Sequence, residues 1–185
     1  MFWSIVILSI ISVIFSARSD AIVNCKTQYH RSCFKHWIDE DGNCLDTRQE
    51  MLQKDNLDFN VIDIENCRIV KGKWYDEYSG QYYTNTSQLD IDHIVPLKEA
   101  WESGANKWTQ KQREIFANDY DNLIIVSFSL NRQKGSKDPA KWLPPRTEYQ
   151  CEYIARWKYI KERYNLLMDT EEKKKIQEVE TICKK

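Results

Sequence analysis

Asp90-Ile91-Asp92-His93-Ile94-Val95-Pro96 decides how this chain is read. Apolar residues alternate with acidic ones up to Asp92, and Pro96 cannot continue a ladder, so the stretch predicts a short strand over Leu89 to Leu97 interrupted at Pro96. A connection of about 25 residues leads to Asn122–Leu130. With Leu123-Ile124-Ile125-Val126 at its centre, this is the most apolar run outside the N-terminus, and it predicts a buried strand. The polar stretch Asn131-Arg132-Gln133-Lys134-Gly135 follows and opens a helix. A strand, a large loop, a second strand and a helix return the start of that helix to the first strand. Asn131 is thereby expected near Asp92 and His93.

The residue types in this arrangement carry chemistry. A carboxylate is a hard oxygen ligand for a divalent cation, and an imidazole is a base largely neutral at pH 7. Together they supply the parts of metal-assisted hydrolysis. His93 is one of three histidines. A lone histidine in an apolar strand is more often a core residue, but Asp92, Asn122 and Asn131 at these spacings outweigh that reading. His30 and His36 lie in a polar N-terminal segment and are assigned no chemistry. One geometrical question stays open, because neighbours in a strand point to opposite faces. For Asp92 and His93 to meet one phosphate, either the strand twists or bulges before Pro96, or the substrate straddles its edge.

The chain opens with an almost wholly apolar run, Phe2 to Phe15, followed by small residues at Ala17, Ser19 and Ala21. This reads as a signal peptide over residues 1–19 with cleavage near 19–21, leaving one domain over 20–185 of about 165 residues. The n-region lacks Lys and Arg, so a retained membrane anchor is the alternative. Six cysteines follow, Cys25, Cys33, Cys44, Cys67, Cys151 and Cys183, an even number that reads as three disulfides in an oxidising compartment. No CxxC pair supports a zinc site. Sequence order suggests Cys25–Cys33, Cys44–Cys67 and Cys151–Cys183, among fifteen possible connectivities. A formal net charge of −1 argues against coating nucleic acid by electrostatics alone. Acids dominate from Asp39 to Glu65, and bases from Lys107 to Arg113 and from Arg132 to Arg146, so a polyanion is expected on the second half. Asn85-Thr86-Ser87 is a glycosylation sequon of a kind that also arises by chance.

Asp46 is the expected N-cap of a first helix running through Thr47 to Leu52. Cys67 to Val70, Lys71-Gly72 and Lys73 to Tyr75 predict a hairpin turning at Gly72. A short helix begins at Lys98 to Trp101, and Thr109 to Asn118 is helical. Thr147-x-x-Gln150 predicts a capping box opening a helix to about Tyr164, with Tyr153, Ile154, Trp157 and Ile160 on one face. Asp169-x-x-Glu172 caps another to Cys183, with Ile176, Val179 and Ile182 as its inner stripe. The cysteine bridge would pin these two helices antiparallel as scaffold. Trp74, Trp101, Trp108 and Trp142 are expected in the core.

With these residues in view, the chain resembles HNH endonucleases of the ββα-metal fold, in particular a secreted branch related to the C-terminal domain of GmrSD-type restriction enzymes. The resemblance rests on Asp90 to Pro96, Asp121-Asn122-Leu123 and Asn131-Arg132-x-Lys134-Gly135. It extends through Asp41-Gly42-x-x-x-Asp46-Thr47-Arg48, Gly72-Lys73-Trp74-Tyr75 and Trp142-Leu143-Pro144. It implies an α+β fold, a small ββα-metal core surrounded by helices. It implies that Asp92 and Asn131 hold one Mg²⁺ or Mn²⁺, that His93 is the general base, and that Asn122 pins the loop between the strands. Asp90 takes a supporting place behind the ligands. Arg48, Arg132 and Lys134 would contact substrate phosphates, with a structural ion pair as the alternative for Arg48 and a solvated face for the other two. The third position of the family's name is Asn131 rather than His, as in the HNH domains of RNA-guided nucleases, which favours a hard metal over zinc. The expected activity is hydrolysis of DNA, with RNA as the alternative, at low sequence specificity, leaving 5′-phosphate ends. The protein is expected to be secreted, with no membrane association after cleavage and no stable protein partner. The rival reading is a secreted binding or effector protein that keeps the fold without catalysis.

Overall fold

The computed structural model describes residue 25 and residues 27–58 and 63–184; the signal-peptide reading at residues 1–19 lies outside them. Among these residues, five strands and six α-helices form an α+β fold. They are α1 (Thr47–Lys54), β1 (Asp63–Glu65), β2 (Arg68–Asp76), β3 (Gln81–Asn85), β4 (Leu89–His93), α2 (Leu97–Glu102), α3 (Gln110–Ala117), β5 (Leu123–Ser127), α4 (Phe128–Lys134), α5 (Thr147–Arg163) and α6 (Thr170–Cys183). One antiparallel sheet has the order β1-β2-β3, and β4 pairs with β5 in a second.

The expected strand–strand–helix unit is β4, β5 and α4. Asp90 faces Val126 across the ladder, Asp92 faces Ile124 and His93 faces Leu123. All of β5 is buried, which explains its unbroken apolar run: one cluster receives Ile124 and Val126, the other Leu123 and Ile125. The strand is shorter than expected. Phe128-Ser129-Leu130 is already helical, because apolar character alone does not separate a buried strand from the first turn of a helix.

Three further expectations are corrected. Gly72 is not a hairpin turn but lies inside β2, and the chain reverses after Asp76 instead. Glycine is required there by close approach, since a Cβ would overlap the Trp74 ring and Asn56 Oδ1. Helix α5 has no capping box: Arg146 is its N-cap without a side-chain bond, and Gln150 Nε2 donates to Pro144 O at 2.8 Å. Ile182 is 68 % exposed, while Ile176 and Val179 are buried. The other caps form as read: Asp46 Oδ1 accepts from Gln49 N, and Asp169 and Glu172 make a reciprocal box.

The three disulfides are Cys25–Cys33, Cys44–Cys67 and Cys151–Cys183. The last ties α5 to α6, whose contact is reinforced by a buried ammonium. Lys161 Nζ reaches Glu99 at 2.6 Å and Glu172 at 3.4 Å, so this α5 cation also fastens α2 and α6. Trp74 and Trp101 are core residues, and Trp108 and Trp142 pack against the larger core. The N-terminal segment is held down by Arg113, which donates to Cys33 O and Trp108 O at 3.2 and 2.6 Å. This lays residues 29–37 beside the end of β4.

Candidate active site

Strand β4 ends at His93, and the backbone there is shaped by Asn122. Its side chain is fully buried, accepts from Val95 N at 2.9 Å and donates to Val95 O at 3.2 Å. A single amide thus satisfies both polar groups of a buried residue that leaves the ladder, an economical way to end a strand inside a core. Pro96 follows and α2 begins at Leu97.

A cavity of about 380 Å³ opens against this strand end. Asp92, His93, Asn131, Arg132, Arg31 and Tyr29 are among its lining residues. The strand neither flips nor needs to: β4 pairs with β5 alone, and a cavity wrapped around its end meets consecutive residues.

Asp92 is buried at 5 % exposure. Its Oδ2 accepts from Lys134 Nζ at 2.7 Å and from the Tyr78 hydroxyl at 2.8 Å. Lys134 is wholly buried and also donates to His93 O at 2.7 Å. Burial pushes the Asp92 carboxyl upward and the Lys134 ammonium downward, and each opposes the shift of the other by its charge. Lys134 was expected to face a substrate phosphate or solvent; it does neither, and its charge is spent on Asp92. Tyr78 itself sits among Trp142, Tyr149 and Tyr153. The turn that carries it is fixed by buried Asp76, which accepts from Tyr78 N and Ser127 N at 2.8 and 3.1 Å.

Asn131 turns toward β4 as expected, but its hydrogen bond goes to Asp90. Nδ2 donates to Asp90 Oδ2 at 3.0 Å, which commits the amide nitrogen and leaves Oδ1 as the donor atom for a cation. Asp92 and Asn131 both line the cavity, and carboxylate and amide oxygens are hard donors of the kind Mg²⁺ or Mn²⁺ takes; among the described residues no group of three or more His, Cys, Asp or Glu side chains is arranged to hold a metal. Arg48 lies behind Asp90: its guanidinium donates to Leu89 O at 3.2 Å, and the charges of Asp90 and Asp46 favour its ionised form against burial.

His93 is 3 % exposed. Its Nε2 lies 2.8 Å from Ala117 O, a pure acceptor, so Nε2 carries the proton and Nδ1 the lone pair in the neutral ring. Burial lowers its pKa to about 3. The ring is stacked on Trp37 at 5.7 Å between centroids and 25° between planes, and His36 makes a T-shaped contact with Trp37 at 5.3 Å between centroids. Trp37 has φ of 58°, in the left-handed region where a bulky side chain is strained. Arg132 places its guanidinium 3.9 Å over the Phe128 ring and brings positive charge to the cavity wall.

Sequence reasoning missed Tyr78, Trp37, Ala117 and Arg31. Only Arg31 carries a legible signal, a base within the disulfide-bonded segment; the roles of the others depend on tertiary approach.

The family described as the C-terminal domain of GmrSD restriction endonucleases matches residues 46–179. A protein of Arthroderma benhamiae described as an "uncharacterized secreted protein" is 39 % identical over 157 residues, 84 % of this chain and 76 % of that one. The F-box only protein 21 of Homo sapiens and that of Pongo abelii are each 28 % identical over 86 residues, 46 % of this chain but 13 % of theirs. No solved structure matches the chain.

Proposed function

From the premise that this chain belongs to the family of the GmrSD restriction endonuclease C-terminal domain, we propose that it is a secreted, metal-dependent HNH-type endonuclease acting on DNA. The observation that carries the reading is that Asp92, His93, Asn131 and Arg132 line one cavity. A carboxylate, a neutral imidazole, an amide oxygen and a guanidinium are there brought to a volume that admits a phosphodiester. Secretion is supported by three disulfides and by the description of the fungal relative.

Asp92 and Asn131 would hold one Mg²⁺ or Mn²⁺, with Asp90 orienting Asn131 through its amide nitrogen. When bound, the cation supplies Lewis-acid stabilisation of charge on the phosphate and the leaving 3′ oxygen. His93 takes the proton of the attacking water at Nδ1. Ala117 O holds the tautomer that leaves Nδ1 unprotonated, and a phosphate anion beside the ring raises its affinity for that proton. Arg132 contacts the phosphate. Lys134 is given no substrate role; it balances Asp92 until a cation shares that carboxylate.

The test is nicking of supercoiled plasmid by the full chain with Mg²⁺, with EDTA, and with His93→Ala. Nicking that EDTA and His93→Ala each abolish supports the proposal. Full activity of His93→Ala sinks the mechanism, and no cleavage of DNA or RNA with any divalent cation sinks the enzyme. A second reading, a nucleic-acid-binding protein without catalysis, is favoured by one observation: Asp92 already has Lys134 as its counter-ion. It predicts DNA retention without cleavage.

A further inference from the structure

We propose that Asn85 carries an N-linked glycan that covers an open sheet edge. Asn85-Thr86-Ser87 is the only Asn-x-Ser/Thr triplet in the sequence. The fold divides its three residues in the way an acceptor needs. Thr86, whose identity the triplet does not specify, is half-buried and anchored through its hydroxyl to Ile69 O at 3.0 Å and Val70 O at 3.3 Å. Asn85 and Ser87 are exposed. Asn85 Oδ1 accepts from Ser87 N at 2.8 Å, so the turn uses the amide oxygen and not Nδ2, the atom that would be modified.

A chance triplet explains the sequence but not its place. Strand β3 is the outer strand of the order β1-β2-β3, its residues are exposed or half-buried throughout, and Tyr82 is 60 % exposed. Proteins blunt such edges with lysine, proline, bulges or a covering element. The strand reads Gln81-Tyr82-Tyr83-Thr84-Asn85 and has neither charge nor proline of its own, and the irregularity in its pairing falls on β2, between Lys71 and Trp74, not on this outer edge. A sugar on its last residue supplies the missing protection. Asn85 also borders a cleft of about 720 Å³ with Arg48 and Arg68, whose lining shares no residue with the cavity at His93. The acceptor thus sits at a different opening from the candidate active site.

In the transfer, a bond forms between Asn85 Nδ2 and C1 of the reducing-end sugar of a lipid-diphosphate-linked oligosaccharide. The C1–oxygen bond to the diphosphate breaks, the lipid diphosphate leaves, and the amide nitrogen gives up one proton to the transferase.

The inference rests on the secretory part of the proposed function, and the experiment separates the two. The full chain is expressed in a fungal host, and protein from cells and medium is run with and without peptide-N-glycosidase and with and without reductant. The disulfide-bonded fraction should shift by a single step on enzyme treatment, and Ser87→Ala and Asn85→Gln should run at the deglycosylated position, while Ser87→Thr retains the shift. A disulfide-bonded fraction insensitive to the enzyme overturns glycosylation while leaving secretion standing. A chain with no disulfide-bonded fraction overturns secretion, and glycosylation with it. Deglycosylated protein should self-associate more readily on light scattering; unchanged association overturns the edge-covering role.

Discussion

Replacing Lys134 by methionine tests the electrostatic design of the site directly. Lys134 is wholly buried and Asp92 nearly so, and removing one partner of such a pair leaves an uncompensated charge in the interior, at a cost of about 3–5 kcal/mol. The Tyr78 hydroxyl remains on Asp92 at 2.8 Å, so the loss should fall toward the lower end, about 3 kcal/mol. For a domain of this size that lowers the melting temperature by roughly 6–12 °C. The double variant Asp92→Asn with Lys134→Met should lose less than the two single changes together, because the second removes the charge that the first strands. The measurement is urea and thermal unfolding of the full chain in EDTA and in Mg²⁺. If Asp92 also serves the cation, Mg²⁺ should raise the midpoint of Lys134→Met more than that of the parent, since the lysine no longer competes for the carboxylate. A loss under about 1 kcal/mol refutes the buried pair, because exposed pairs contribute no more than that. Equal Mg²⁺ shifts in the two proteins refute Asp92 as a ligand.

Asn122→Ala should destabilise by about 2–5 kcal/mol in urea unfolding, because it strands both Val95 N and Val95 O in the core. Trp37→Ala should lower plasmid nicking by about 10–100-fold with near-parental DNA retention on a gel, since the stack that orients His93 is lost; Trp37→Phe should recover part of it. Replacing Cys151 and Cys183 by serine opens a loop with a sequence separation of 32. It should cost about 3–4 kcal/mol, read as a lower denaturant midpoint without reductant, where Cys25–Cys33 and Cys44–Cys67 stay closed in both proteins.

The unit that positions the site was readable because its signals are local. The alternation of Leu89 to His93 and the apolar density of Leu123 to Val126 each follow from one element's own burial, whereas the helix read as opening at Asn131 begins three residues earlier, at Phe128. Asp46 and Asp169 announced their helices for the same reason: a cap bonds backbone three residues away. Gly72 misled because a glycine inside a strand and a glycine at a turn look alike until the Trp74 ring is known to lie against it. Ile182 misled because periodicity continues past the point where packing stops. Tyr78 and Trp37 had no signal at all, since their contacts with Asp92 and His93 depend on how the first sheet and the disulfide-bonded N-terminal segment dock. Lys134 was the sharpest failure. A lysine in a loop-like polar run is usually solvated, and only the approach of α4 to β4 makes it a core residue.

That approach also explains the separations of two pairs of residues. Asp90 and Asp92 are two apart on a strand, hence on one face, separated by about 6.6–6.8 Å along it. Asn131 and Lys134 are three apart on a helix, hence neighbours on its surface, with a rise of about 4.5 Å. Asn131 bonds the first aspartate and Lys134 the second, so α4 runs in the same sense as β4 and is locked to it by two rungs. The outer rung holds an amide, which orients an oxygen without adding charge. The inner rung holds an ammonium, whose charge opposes the upward push of burial on the Asp92 carboxyl. Interchanging them would bury an amide against a bare carboxylate and leave a lysine at the cavity, where it would repel the cation of the proposed reaction. On the proposed metal-dependent mechanism, the order of the two rungs matters as much as their composition, because it sets the amide and not the ammonium toward the cavity.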